Sequence, residues 1–434
     1  MTSDLRKLPP GFGRLWTAQT VSSLGDGVTH AALPLLALTL TRNPMALAVV
    51  TAAGTLPWLL FGVLGGALVD RWDRRRTMWV ADTARAVLLA IPAAAAALDM
   101  LSIPLLAALA FLLALGGLFF DTAATAYLPD LLGRDPARLE RANARLRGTQ
   151  TAASGFAGPP AGSALLTLGR TVPLLADAVS FALSALLVRT LPAAPHPVPQ
   201  ARESLLRQAR AGASYVFQDR LLLGLALRPA VGNIAFLAVE TVLALFAHDR
   251  LGTGPFGFGL LLTAEATGGL LGAGIASVLG RRLGTGAALT ATATVEGLAI
   301  LGLATAPNPY VAGLALAVCG AGMGATMVLA PSLRQAIVPA QLMGRVAATS
   351  RMLAMCAAPI GAFLGGWLAT TYDIRTPLYT AAGLLLAMTA VTATMTSNRR
   401  VEAALRGVAA TGGDPVREGA PELCDALADG ATKA

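Results

Sequence analysis

Charge is scarce in this chain. Asp, Glu, Lys and Arg make up 13% of its 434 residues, about half of the ~25% usual in a soluble protein. A large soluble core does not explain the shortage. The 55% of residues that are hydrophobic fall in blocks of roughly 20, the length that crosses a bilayer. Cysteine is scarce too. Cys319, Cys356 and Cys424 are odd in number, far apart, and lack a CxxC or a paired histidine. That excludes a disulfide framework and offers no metal site. There is no GxSxG, no P-loop for ATP and no cluster of metal ligands, so nothing supports an enzyme and no cofactor is called for. The net charge of +9 would suit nucleic acid, but no separate basic domain exists to carry it.

What the chain has is one plan repeated: apolar span, short basic loop, apolar span. The runs predict twelve helices, at 15–40, 46–69, 78–98, 103–126, 146–168, 172–191, 222–247, 256–279, 286–306, 309–333, 347–371 and 376–396. Prolines inside spans, such as Pro34, Pro57 and Pro92, are tolerated because neighbouring helices re-satisfy the freed backbone groups. The N-terminus lacks a cleavable signal pattern, so the first run stays as the first span. Basic residues set the orientation. With the N-terminus inside, 25 Arg or Lys lie in the inner segments and four (Arg42, Arg170, Arg250, Arg375) in the outer loops. Both termini are therefore expected on the cytoplasmic side of the cell membrane.

The longest internal connection, 192–221, opens with a stiff Pro-rich segment. It continues from Glu203 to Gln218 with apolar residues at helical spacing, the pattern of an amphipathic helix on the inner membrane surface. The resulting division is a cytoplasmic N-terminus (1–14), a six-helix bundle (15–191), the linker (192–221), a second six-helix bundle (222–396) and a polar, disordered cytoplasmic tail (397–434). The halves echo each other. Gly158-x-x-x-Gly162 and Gly361-x-x-x-Gly365 each lie nineteen residues past a matching leucine, Leu139 and Leu342. Leu64 through Arg75 lines up with Leu271 through Arg282, with Ser277 in the place of Asp70. Two pseudo-symmetric six-helix halves are a known transporter plan.

Gly66-Ala67-Leu68-Val69-Asp70-Arg71-x-x-Arg74-Arg75 resembles the loop 2–3 motif of the major facilitator superfamily, with Asp73 where that family prefers glycine. Gly155-x-x-Gly158-Pro159-x-x-Gly162 is similar to the glycine-proline motif of the family's antiporters. Ser22-x-x-Gly25-Asp26-Gly27, Leu128-Pro129-Asp130 and Gly344-Arg345-Val346 resemble the branch containing the enterobactin exporter and macrolide-efflux pumps. The resemblance covers roughly 15–396. It implies an all-α fold of twelve transmembrane helices and secondary active export of drugs, antibiotics or siderophores. It also implies a role for Asp70, Gly66, Arg71, Arg74 and Arg75 in latching the halves, with Asp70 near the N-terminal end of span 11, where a helix favours an anion.

Ionisable groups inside spans are costly and usually face a cavity or one another. Here they are Asp26, His30, Arg85, Asp121, Asp177, Glu240, Glu265 and Glu296. In the family, spans 1, 4, 7 and 10 line the cavity and spans 3, 6, 9 and 12 lie outside. That ranks Asp26, Asp121 and Glu240 first and leaves Asp177 and Glu296 as structural acids. Asp26 lies about 18 Å along the helix from Arg14, and Asp121 about 20 Å from Arg134. His30 shares the face of Asp26 at i+4, and Arg85 can pair with Asp82 at i−3. A carboxylate in a low-dielectric cavity can load and release a proton near neutral pH, and a cationic substrate can compete for it. The residues expected to carry proton coupling or to line the substrate cavity are thus Asp26, His30, Asp121, Glu240 and Glu265. Gly155, Gly158, Pro159 and Gly162 are expected to pack helices. The expected partners of a monomeric chain are a small-molecule substrate, protons, and anionic lipid headgroups at the basic loops. An importer or facilitator on the same fold, or a non-transporting membrane sensor, fits the same sequence, and sodium can replace the proton.

Overall fold

The computed structural model describes residues 10–69, 71–133, 135–192 and 205–410. The described residues form helices with no strand. In chain order these are α1 (Pro10–Leu40), α2 (Pro44–Val69), α3 (Arg74–Ala97), α4 (Ile103–Leu132), α5 (Pro136–Thr151), a π turn (Ala152–Ala157), α6 (Gly158–Leu168) and α7 (Val172–Arg189). They continue with α8 (Leu205–Gln218), α9 (Arg220–Asp249), α10 (Pro255–Leu283), α11 (Thr285–Ala304), α12 (Pro309–Ile337), α13 (Ala340–Thr371), α14 (Thr376–Met395) and α15 (Asn398–Ala410).

Ten described helices are long and apolar enough to cross a membrane. The first and fifth of the twelve expected spans are not among them. α1 has 31 residues, but its middle carries Ser22, Ser23, Asp26, Thr29 and His30. The fifth span is divided by the π turn, which leaves 11 residues in α6. Its helix also begins ten residues before the expected start, at Pro136. Asp135 caps it there by accepting from the Ala137 N–H (3.0 Å). Hydropathy misses this turn because Arg138, Arg141, Arg145 and Arg147 extend the helix beyond the apolar run. Residues 398–410, expected in a disordered tail, form α15, which packs on α11 and α12 and buries Val401.

The acids of the arginine-rich loops act as helix caps. Asp73 Oδ1 accepts from the Arg76 N–H at 2.8 Å and starts α3. Its φ of −64° needs no glycine, which accounts for an aspartate where the loop motif prefers Gly. Asp219 starts α9 by accepting from Leu221 and Leu222 (2.7 and 3.1 Å). Such caps satisfy amide groups that a helix start leaves unpaired.

Two glycine pairs hold matching helices together. A Cβ on Gly158 would fall 2.5 Å from the Gly27 Cα, and one on Gly361 would fall 2.3 Å from the Ile234 carbonyl. Thus α6 is pressed on α1, and α13 on α9, at corresponding places in the two halves. Each glycine motif packs against the first span of its own half.

The hydrophobic cores are distributed unevenly. At the arginine-rich end, one core gathers Phe12, Leu15, Tyr127 and Val188, and a second gathers Val216, Leu225, Leu329 and Val401. The first draws its buried residues from the N-terminal half alone, the second from α8 and the C-terminal half alone. Toward the other end the cores mix the halves: Ala31 and Leu35 pack with Val242 and Phe246, and Leu245 packs with Leu36 and Leu47. Ion pairs cap this joined end. Arg42 Nη1 meets Asp249 Oδ1 at 3.0 Å across the halves, and Arg250 Nη2 meets Asp373 Oδ2 at 2.6 Å.

Candidate functional site

The motif Gly25-Asp26-Gly27 shows how the site is assembled. A Cβ on Gly25 would lie 2.0 Å from both Asp177 Oδ1 and Ser180 Oγ. The missing side chain lets α7 approach α1, while Gly27 admits α6. Asp26 sits between these two close contacts and faces a cavity of about 410 Å³. The wall of that cavity also contains His30, Thr29, Arg85, Asp121, Asp177 and Glu240, with Trp58 and aliphatic side chains of α2 and α4 opposite.

Arg85 is the centre of the N-terminal cluster. Its Nη2 donates to Asp26 Oδ1, its Nη1 donates to Asp82 Oδ1 at 3.4 Å, and its guanidinium lies 3.7 Å above the centre of the Phe181 ring. Its stem fits because position 116 is glycine: a Cβ there would fall 2.7 Å from Arg85 Cγ. The expected local pair with Asp82 therefore exists, but Arg85 also reaches Asp26 on a different helix. Asp82 and Arg85 are buried, while the Asp26 side chain keeps 45% of its surface accessible. Asp177, expected to be peripheral, is buried and reaches the same wall. Thr29 donates to its Oδ2, and Ser180 donates to its Oδ1 at 3.0 Å. The glycine notch at position 25 brings span 6 inward; the general order of spans does not carry that local information.

The C-terminal half contributes Glu240 from α9. His30 Nε2 donates to Glu240 Oε1 at 2.9 Å, joining the first spans of the two halves. Behind this pair lies a second cavity of about 30 Å³, which Glu265 and Cys319 also line. All five residues expected at the cavity thus lie around two adjoining spaces. Arg228, on α9, is a second arginine inside a span. It donates to the Leu289 carbonyl, to Thr292 (2.9 Å) and Thr326 (2.8 Å), and to Glu296 at 3.4 Å. This second arginine–carboxylate cluster lies between α9, α11 and α12 and lines neither cavity.

In the loop 2–3 motif, Asp70 lies outside the described residues, as do the surroundings of Gly66. Arg74 donates to Asp130 and to the Ala126 carbonyl (3.0 Å), both on α4 of its own half. It therefore joins this motif to Leu128-Pro129-Asp130. Arg71 is exposed and Arg75 half-buried. Gly155 approaches α10, where a Cβ would lie 3.0 Å from that of Ala266; Gly162 meets the Val28 carbonyl. Among the described residues, no group of three or more His, Cys, Asp or Glu side chains is arranged to hold a metal ion.

A family model described as a transmembrane secretion effector matches residues 7–412. The multidrug efflux pump Tap of Mycolicibacterium fortuitum is 29% identical over 379 residues, covering 85% of this chain and 88% of that protein. YfiS of Bacillus subtilis (strain 168), an uncharacterized MFS-type transporter, is 24% identical over 412 residues, covering 90% and 94%. A solved bacterial homologue of the iron transporter ferroportin, in an inward-facing state, superposes with a TM-score of 0.74 at 17% identity. That match covers 90% of this chain and all of the other, and it shows likeness of fold.

Proposed function

The chain belongs to the transmembrane secretion effector family of the major facilitator superfamily, and from that membership we propose a proton-coupled antiporter that exports small amphiphilic or cationic compounds. As a family member it is a multi-pass membrane transporter of small molecules and not an enzyme. The observation that carries the finer reading is the Asp26–Arg85 pair on the wall of the central cavity, with Asp121 on the same wall. Asp26 is held by a tethered cation yet remains accessible. A proton or a cationic substrate competes for the carboxylate that Arg85 now occupies, and exclusive occupancy is the simplest basis for exchange. Trp58 and the aliphatic wall opposite suit an amphiphilic body.

The basic loops place the arginine-rich end inside. The halves share cores at the other end, which supports the reading of a conformation closed outside with its cavity reached from the cytoplasm. Arg399 and Arg400 at the start of α15 lie where anionic headgroups would be met, and one chain suffices for the cavity.

Whole-cell accumulation tests the direction. Cells making the protein should hold less ethidium than cells without it, and an uncoupler should raise the level again. Greater accumulation would support the importer reading, and equal levels with an uncoupler-insensitive phenotype would support the sensor.

A further inference from the structure

We propose that His30, Glu240 and Glu265 form a second proton-binding site, separate from Asp26 and Arg85, so that one exchange cycle moves two protons. The stoichiometry rests on the antiport reading above; the site itself does not. The two adjoining cavities have two lining residues in common, His30 and Glu240. Their 2.9 Å contact is therefore the partition between the central cavity and the smaller chamber. That chamber, about 30 Å³, has the volume of a single water molecule.

The chamber is lined mainly by apolar side chains from α9, α10, α11 and α12, and Glu265 stands among them. Among the described residues Glu265 has no hydrogen-bond or ion-pair partner. Its side chain is half-buried, and a carboxylate without a partner in such apolar surroundings is costly unless it is neutralised. The groups that face it are few. α1 offers His30, with Asp26 one turn earlier acting on His30 from the central cavity; α9 offers Glu240; α12 offers Cys319. α11 brings Ile300 and Leu303, while its Glu296 is engaged by Arg228 and Thr326. Among the described residues no arginine lines this chamber, in contrast to the Asp26 site, where Arg85 supplies the resident cation.

The partition also spans the halves, since His30 is on α1 and Glu240 on α9. A proton arriving from cavity water forms an O–H bond on Glu240. The charge-assisted contact to His30 then becomes an ordinary hydrogen bond, which is about half as strong. The contact between halves is weakened while the proton is on Glu240; when it passes on to Glu265 through the chamber, Glu240 is ionised again and the contact is restored. Protonation of Glu240 thus favours separation of α1 from α9, the movement that alternating access requires.

The test counts protons on the purified full-length protein in detergent. An indicator dye reads uptake on a step from about pH 8 to about pH 5. Glu265→Gln should take up about one proton fewer than wild type. Glu240→Gln, which keeps an acceptor for His30, should also lower the count. Unchanged uptake in both glutamine variants would overturn the site. In proteoliposomes loaded with ethidium, the proton-to-ethidium ratio should fall from about two to about one in Glu265→Gln. An unchanged ratio would overturn the stoichiometry. Absence of ethidium flux in wild type, with the reduced proton count intact, would overturn the antiport reading and leave the site standing.

Discussion

Each half of the molecule holds one arginine among acids near the middle of its spans, and the two are used differently. In the N-terminal half, Arg85 reaches from α3 to Asp26 on α1 at the wall of the central cavity. In the C-terminal half, Arg228 reaches from α9, the counterpart of α1, into Leu289, Thr292, Thr326 and Glu296. The offset that aligns Gly65 with Gly272 places Thr292 at the position of Arg85. The cation has thus changed helices between the halves while remaining at the same level. The difference is access. Asp26 keeps 45% of its side-chain surface accessible, against 10% for Glu296. An acid that can exchange its partner suits coupling, whereas one enclosed with its arginine and two threonines fixes the packing of three helices.

The contrast can be broken by substitution. Asp121→Asn, on the accessible wall, should cut efflux about tenfold or more, equivalent to ~1.4 kcal/mol or more, without reducing the amount of protein in the membrane. Dye efflux normalised to membrane content measures this. Glu296→Gln should do the reverse. It leaves Arg228 without its carboxylate in a buried place, a loss of roughly 3–5 kcal/mol when one partner of such a pair is removed. The purified variant should show a clearly lowered Tm while surviving molecules keep wild-type proton dependence. A shifted pH profile in Glu296→Gln would erase the distinction between the clusters.

Arg42→Glu tests the joined end. It sets two acids against each other at Asp249, so cysteines placed at that end should become more reactive toward a water-soluble maleimide. Restoration by the exchange Arg42→Asp with Asp249→Arg would confirm the contact. Asp70→Asn should slow turnover more than it weakens substrate binding; equal transport would reduce the loop to a topology signal. The smallest effect concerns Asp373. The Arg375 N–H it accepts from (2.9 Å), helped by Arg250, holds its carboxyl below the usual range. Its contribution is present above that range and is lost as the pH falls through the lowered value. The Tm difference between wild type and Asp373→Asn should therefore stay constant from about pH 8 to about pH 5 and shrink below about pH 4.

Much of this was legible in the sequence because membranes impose simple rules. Apolar length locates most helices, and a carboxylate in a span announces a cavity or a partner. Asp26, His30, Asp121, Glu240 and Glu265 were found in that way. Their partners were not. Arg85 could be assigned Asp82 by helical spacing, but Asp26 is 59 residues away and meets it only through packing. The place of Asp177 on the cavity wall is not legible, because the order of spans says nothing about a glycine notch that draws α7 against α1. α1 itself falls short of membrane hydropathy because its middle is occupied by the polar groups of the site.

The central claim is that Asp26 exchanges a proton for substrate. The most direct measurement is proton movement in proteoliposomes holding an ethidium gradient and no imposed pH gradient. Wild type should drive protons against the ethidium flow, and Asp26→Asn, incorporated to the same density, should move fewer protons for each ethidium. Equal proton movement per ethidium in both would contradict the account.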